Sequence, residues 1–179
     1  MPIRISSPRV PSAITILCVA LFGLAGCRQS AEPSPSAQAP LETMVQVASA
    51  GNVSRLVAGF HERDNAQWRW TMREFSIILT RPRGAAERGA TLVLEFAIPE
   101  ANLAVLKSVN LSATVGGFAL PSQAFDRPGS STYRQQVPAA AFGTGALRVD
   151  FALDKAVHGG PGDDRELGVV VTAAGFVAE

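Results

Sequence analysis

The chain has 179 residues, 16 basic against 15 acidic side chains and a formal net charge of +1. With no basic run of five or more, it offers no electrostatic footprint for nucleic acid and cannot dock on anionic lipid by charge alone. Its two cysteines, Cys18 and Cys27, both lie near the N-terminus. The rest of the chain therefore holds no disulfide and no cysteine metal site, and its stability must come from a hydrophobic core.

A short head carrying Arg4 and Arg9 precedes an apolar run from Ala13 to Leu24, closed by small residues. This is the layout of a secretory signal. The run is too short to span a bilayer, where roughly 20 apolar residues are needed. Leu24-Ala25-Gly26-Cys27 resembles the lipobox of bacterial lipoproteins. That resemblance implies that residues 1–26 are a cleaved signal peptide and that Cys27 becomes an N-terminus carrying fatty-acyl chains such as palmitate. Burying acyl chain gains about 0.8 kcal/mol per CH2, and about two chains give stable anchoring. The expected partner is thus the lipid bilayer, held through Cys27. In proteobacteria that sort such proteins, an aspartate after the cysteine favours the inner membrane. Arg28 stands there, so the expected place is the cell envelope, at the outer membrane in a Gram-negative cell. Cleavage removes Arg4 and Arg9 and leaves 14 basic against 15 acidic side chains, a net charge of −1.

Residues 27–40, the cysteine and the run RQSAEPSPSAQAP, carry no large apolar side chains and are expected to form a disordered tether. Residues 41–179 are expected to form one folded domain. A chain of that size, near ~150 residues, buries roughly 70% of its unfolded surface. Leu41 to Ala50 fits either a short strand or a helical turn.

From there on the hydrophobic period is two. Phe75, Ile77 and Leu79 form one apolar face, and Leu92, Leu94, Phe96 and Ile98 another. Val109, Leu111, Ala113 and Val115 alternate with Asn110, Ser112 and Thr114; Leu147, Val149, Phe151 and Leu153 alternate with Arg148, Asp150, Ala152 and Asp154. Such alternation marks strands with one buried and one solvated face. Arg55–Phe60, Trp68–Met72, Thr132–Val137 and Leu167–Ala174 are further strand candidates. Gly116-Gly117 predicts a two-residue hairpin turn, because primed turns need positive φ. Pro99 to Lys107 predicts a helical turn with Leu103 and Leu106 pointing inward. About eight or nine short strands between Pro/Gly-rich loops predict an all-β fold, an antiparallel β-sandwich of jelly-roll or immunoglobulin-like kind.

The enzyme templates are missing: no G-x-S-x-G elbow, no H-E-x-x-H, no phosphate loop and no EF-hand loop. The two histidines, His61 and His158, fall in loops or at strand ends. The acid pairs Glu62/Asp64 and Asp163/Asp164 have no separation that the sequence defines. We therefore expect no enzyme, no cofactor and no metal.

Two clusters carry the remaining chemistry. The first runs from Gly59-Phe60-His61-Glu62 to Gln67-Trp68-Arg69-Trp70-Thr71 and holds both tryptophans. Two apart on a strand, Trp68 and Trp70 share a face: a stacking platform for sugar rings if solvated, interior filling if not, or an intermediate case with one ring edge exposed at the sandwich rim. The high average burial of tryptophan favours the interior. The second is Gly159-Gly160-Pro161-Gly162-Asp163-Asp164-Arg165-Glu166-Leu167-Gly168. Here Arg165 with Asp164 can grip ligand hydroxyls or a carboxylate, or else Arg165 clamps the loop through a neighbouring acid; the clamp is favoured. Together, Gly-Phe…Trp-Arg-Trp-Thr and Asp-Asp-Arg-Glu-Leu-Gly resemble motifs of a bacterial β-sandwich domain found beside polysaccharide-handling enzymes and membrane glycosyltransferases. Relatives often have an aromatic and a proline after the Gly-Phe, where His61 and Glu62 stand here. The resemblance implies a glycan-related context. Trp68, Trp70, Asp164 and Arg165 are the candidate ligand-binding residues, with a glycan as expected partner; the alternatives are a structural or assembly lipoprotein contacting another envelope protein and, third, a glycan-active enzyme.

Overall fold

The structure, a computed structural model, describes residues 44–62 and 66–178. The leader, Cys27, the tether and Asp64 lie outside the described residues. Eleven strands run through the described part: β1 (Met44–Gln46), β2 (Leu56–Phe60), β3 (Arg69–Thr80), β4 (Ala90–Ile98), β5 (Val109–Val115), β6 (Phe118–Phe125), β7 (Gly129–Val137), β8 (Ala146–Leu153), β9 (Val157–His158), β10 (Glu166–Leu167) and β11 (Val170–Ala178). Two short helices, α1 (Ala85–Arg88) and α2 (Glu100–Leu106), interrupt them.

Nine strands form one antiparallel path, β6-β5-β8-β3-β11-β4-β7, with β1 added beside β11 and β2 beside β3. β9 and β10 make a separate two-stranded ribbon. The predicted antiparallel all-β character holds, in the form of a large sheet curled until it is nearly barrel-shaped. The curl passes through β3. Its residues from Glu74 to Thr80 pair with β8, whereas Arg69 and Trp70 pair with β11. Between these stretches Met72, Arg73 and Glu74 are all exposed, a break in the alternation that marks a corner. Two predicted strands are thus one bent strand.

The predicted faces form the core. Phe75, Ile77, Leu79, Leu92, Leu94, Ile98, Leu111, Val149 and Phe151 are buried. Phe75 and Phe151 are cross-strand partners with stacked rings, centroids 5.0 Å apart. Leu103 of α2 is buried, and Leu106 packs against the same core. Gly116 and Gly117 make the expected turn, with φ of 55° and 86°, between Val115 and its partner Phe118. The two ends of the path, β6 and β7, meet through a side chain: the buried Tyr133 donates its hydroxyl to the Pro121 carbonyl at 2.8 Å. Pro121 sits at a register shift in the β5–β6 ladder, where its missing N–H costs no pairing. Burial of Tyr133 pushes its phenol up to about 12.

Candidate functional site

The two sequence clusters, about 100 residues apart in the chain, converge on the corner of β3. Phe60 pairs with Thr71, and the His61 N–H donates to the Trp70 carbonyl at 2.9 Å. The His61 ring nitrogen Nε2 lies 2.7 Å from the Glu166 carbonyl, so it carries the proton and donates. Thr71 is fully buried. Its N–H donates to the Val169 carbonyl, its hydroxyl accepts from the Val169 N–H at 3.1 Å, and its carbonyl accepts from the Gly168 N–H at 2.7 Å. A Cβ on Gly168 would stand 2.6 Å from the Met72 carbonyl and 2.9 Å from the Thr71 hydroxyl, so only glycine lets the segments approach this closely.

Most motif residues are engaged in this junction. Phe60 packs edge-on against the core ring of Phe75 at 5.4 Å. Arg69 donates from Nε to the Val47 carbonyl and from Nη1 to the His61 carbonyl. The β3 corner leaves the Arg73 N–H outside the ladder, and the Glu166 carboxylate accepts it at 3.0 Å. Arg165 grips Asp163 with a two-point fork, Nε to Oδ1 at 2.9 Å and Nη2 to Oδ2 at 2.8 Å, and its backbone N–H reaches the same carboxylate. These bonds hold the Asp163 carboxyl down at about 2. Arg165 therefore adopts the loop-clamp arrangement, with Asp163 as the acid, while Asp164 is exposed.

The indoles are different. Cross-strand partners project to the same side of a sheet. Arg69 is opposite Val171, which is in the core, so Trp70 and its partner Val170 face outward. Trp68 and Trp70 are both half-buried and meet edge to face, centroids 6.3 Å apart. They lie outside the core cluster. Their arrangement is the intermediate one, partly covered and partly open to solvent.

Beyond the β3 corner runs a groove of about 580 Å³ that sequence reasoning did not find. Ala58 and Gly59 of β2, Met72 to Ser76 of β3, Arg148, Asp150 and Ala152 of β8, and Glu166 of β10 line it. Its depth follows from small side chains and from Gly59, whose φ of 71° brings β2 so close to the β3 backbone that a Cβ would strike the Glu74 carbonyl. A second groove of about 420 Å³ shares Arg73 and Glu166 with the first and is lined also by Leu106, Lys155 and His158. Lys155 there donates to the Leu106 and Ser108 carbonyls, capping the exit of α2. Among the described residues no group of three or more His, Cys, Asp or Glu side chains is placed to hold a metal.

The chain matches no protein-family model and no curated protein.

Proposed function

We propose that this protein is an envelope lipoprotein, anchored through acylated Cys27, whose β-domain binds a glycan. The observation that carries the binding half is the outward Trp68–Trp70 pair. The two indoles are half-buried and meet edge to face outside the core, and the ring surface they leave open to solvent is apolar area on which sugar C–H groups stack. The anchoring half rests on the lipobox and on Arg28, which favours the outer membrane in a Gram-negative cell. The resemblance to domains beside polysaccharide-handling enzymes points the same way. In this reading the curled sheet is a flattened sandwich, β2-β3-β8-β5-β6 packed over β1-β11-β4-β7, and the protein binds without catalysing.

The test is a screen of the full chain, purified in a detergent without sugar headgroups, against soluble oligosaccharides. Trp68→Ala and Trp70→Ala are expected to weaken binding at least tenfold with little change in folding. Unchanged binding would remove the platform. Separately, Cys27→Ser is expected to leave unprocessed precursor; a variant that partitions into detergent and migrates like the mature wild type would refute the lipid anchor.

The alternative is an assembly role. β1 and β2 each pair with a single strand, leaving a second edge without a ladder partner among the described residues. Such an edge can accept a strand from another envelope protein.

A further inference from the structure

Ser76, Arg148 and Asp150 form a closed set on the outer face of β3 and β8. The Ser76 hydroxyl donates to Asp150 Oδ1 at 2.6 Å, and Arg148 Nε donates to the same oxygen at 2.7 Å. Arg148 Nη2 donates to the Ser76 hydroxyl at 3.0 Å. Ser76 is buried and stands directly opposite Asp150 in the ladder, so the three groups fix one another's rotamers. Two functions point away from the set. Arg148 Nη1 and Asp150 Oδ2 make no hydrogen bond among the described residues, and the two side chains are about half exposed, 56% and 47%.

A rigid donor beside a rigid acceptor complements two neighbouring hydroxyls, each of which can both accept and donate. The groove around the set supplies the rest. Ala58, Ala152 and Met72 offer apolar surface to a C–H face. Two arginines against three carboxylates, Glu74, Asp150 and Glu166, leave the lining with a net charge of −1. Arg148 is already neutralised by its partner. An anionic ligand is therefore disfavoured, and a neutral polyol is what the lining suits.

We infer that this groove is a sugar subsite. One hydroxyl of a vicinal pair accepts from Arg148 Nη1 and its neighbour donates to Asp150 Oδ2. The inference rests on the glycan-binding reading above and extends it to a second contact. Trp70 and Ser76 are six residues apart on β3, on either side of its corner, so at most about 20 Å of strand at ~3.3 Å per residue separates them. The ligand class is then a neutral oligosaccharide.

The experiment is calorimetric titration of the full chain, in detergent without sugar headgroups, with maltohexaose, cellohexaose and mannohexaose. Asp150→Ala and Arg148→Met are each expected to lose at least tenfold in affinity for the hexasaccharide that binds the wild type, with melting temperatures close to wild type. The per-O-methylated form of that hexasaccharide keeps its C–H faces but cannot donate to Asp150, and is expected to bind at least tenfold more weakly to the unmutated protein. Groove variants that bind as wild type while Trp70→Ala fails would overturn the subsite and leave the indole platform standing. So would undiminished binding of the methylated probe. A wild type that binds none of the three hexasaccharides would overturn the glycan reading itself, and the subsite with it.

Discussion

Thr71→Val tests whether the junction of the two motifs is a structural lock. Valine has nearly the shape of threonine, so the change opens no cavity; it deletes only the hydroxyl. That hydroxyl accepts from the Val169 N–H at 3.1 Å and lies 3.2 Å from the Val169 carbonyl. The carbonyl keeps its bond from the Thr71 N–H at 2.9 Å, so the loss falls on the Val169 N–H. Val169 is fully buried, and water cannot replace the acceptor. A buried donor left unpaired costs about 1–3 kcal/mol. We expect a loss near 2 kcal/mol, which for a domain of this size lowers the melting temperature by roughly 6–8 °C. Thr71→Ser keeps the hydroxyl and gives up one buried methyl, for a loss of about 1 kcal/mol. Urea melts with unchanged slope measure both. A Thr71→Val protein as stable as wild type, or one more stable than Thr71→Ser, would refute the argument.

Further outcomes follow from particular contacts. Asp163 titrates at about 2 because Arg165 grips it; NMR titration of Arg165→Met is expected to return it towards the ordinary value of about 3.9. Since its folded pKa lies below its unfolded one, this carboxylate stabilises fully above about pH 4 and its contribution fades as pH falls through about 2. An Asp163 that still titrates near 2 in the variant would contradict the fork. Tyr133, raised to about 12, stays neutral while an unfolded tyrosine ionises near 10, so stability is expected to fall as pH rises between those values; absorbance titration showing ionisation at 10 would refute its burial. Tyr133→Phe, which unpairs the Pro121 carbonyl, is expected to cost about 1 kcal/mol in the same urea melts, and no loss would mean the β6–β7 tie contributes nothing. In the β5–β6 turn, Gly117→Asn meets open space and carries only the strain of its positive φ, whereas Gly116→Ala also runs into the Ala141 carbonyl and is expected to be the more destabilising; equal melting temperatures would show that the turn shifts freely.

Strand faces were legible because alternation is a local signal. Leu147, Val149, Phe151 and Leu153 are buried as a set, and the helix over α2 and the Gly116-Gly117 turn fall where the residues place them. The curl of the sheet was not legible, since it depends on which strand β3 pairs with at each end. The run Met72-Arg73-Glu74 hid the continuity of β3 by breaking the alternation at the corner. The side taken by the indoles was not legible, because the break at Met72-Arg73-Glu74 stops a count by twos from Phe75, and only the pairing of Trp70 with Val170 sets it. The Ser76–Arg148–Asp150 set lay beyond reach, because Ser76 is separated by 74 residues from the aspartate that the register sets opposite it. The alternation did show Arg148 and Asp150 on a solvated face. Their fixed pairing came only from the ladder.

β11 sits between β3 and β4 in the sheet although it follows both by a long stretch of chain: Trp70 pairs with Val170, 100 residues later, and Met44 with Gly175. No arrangement of the earlier strands alone can close the curl. The hairpin β5–β6 can form early, but the core around Leu94 and Phe176 must wait until residues 170–178 are present. Pairings over such separations carry a large loop-closure cost and make folding slow. A chain that emerges N-terminus first thus cannot complete its core until nearly all of it has appeared.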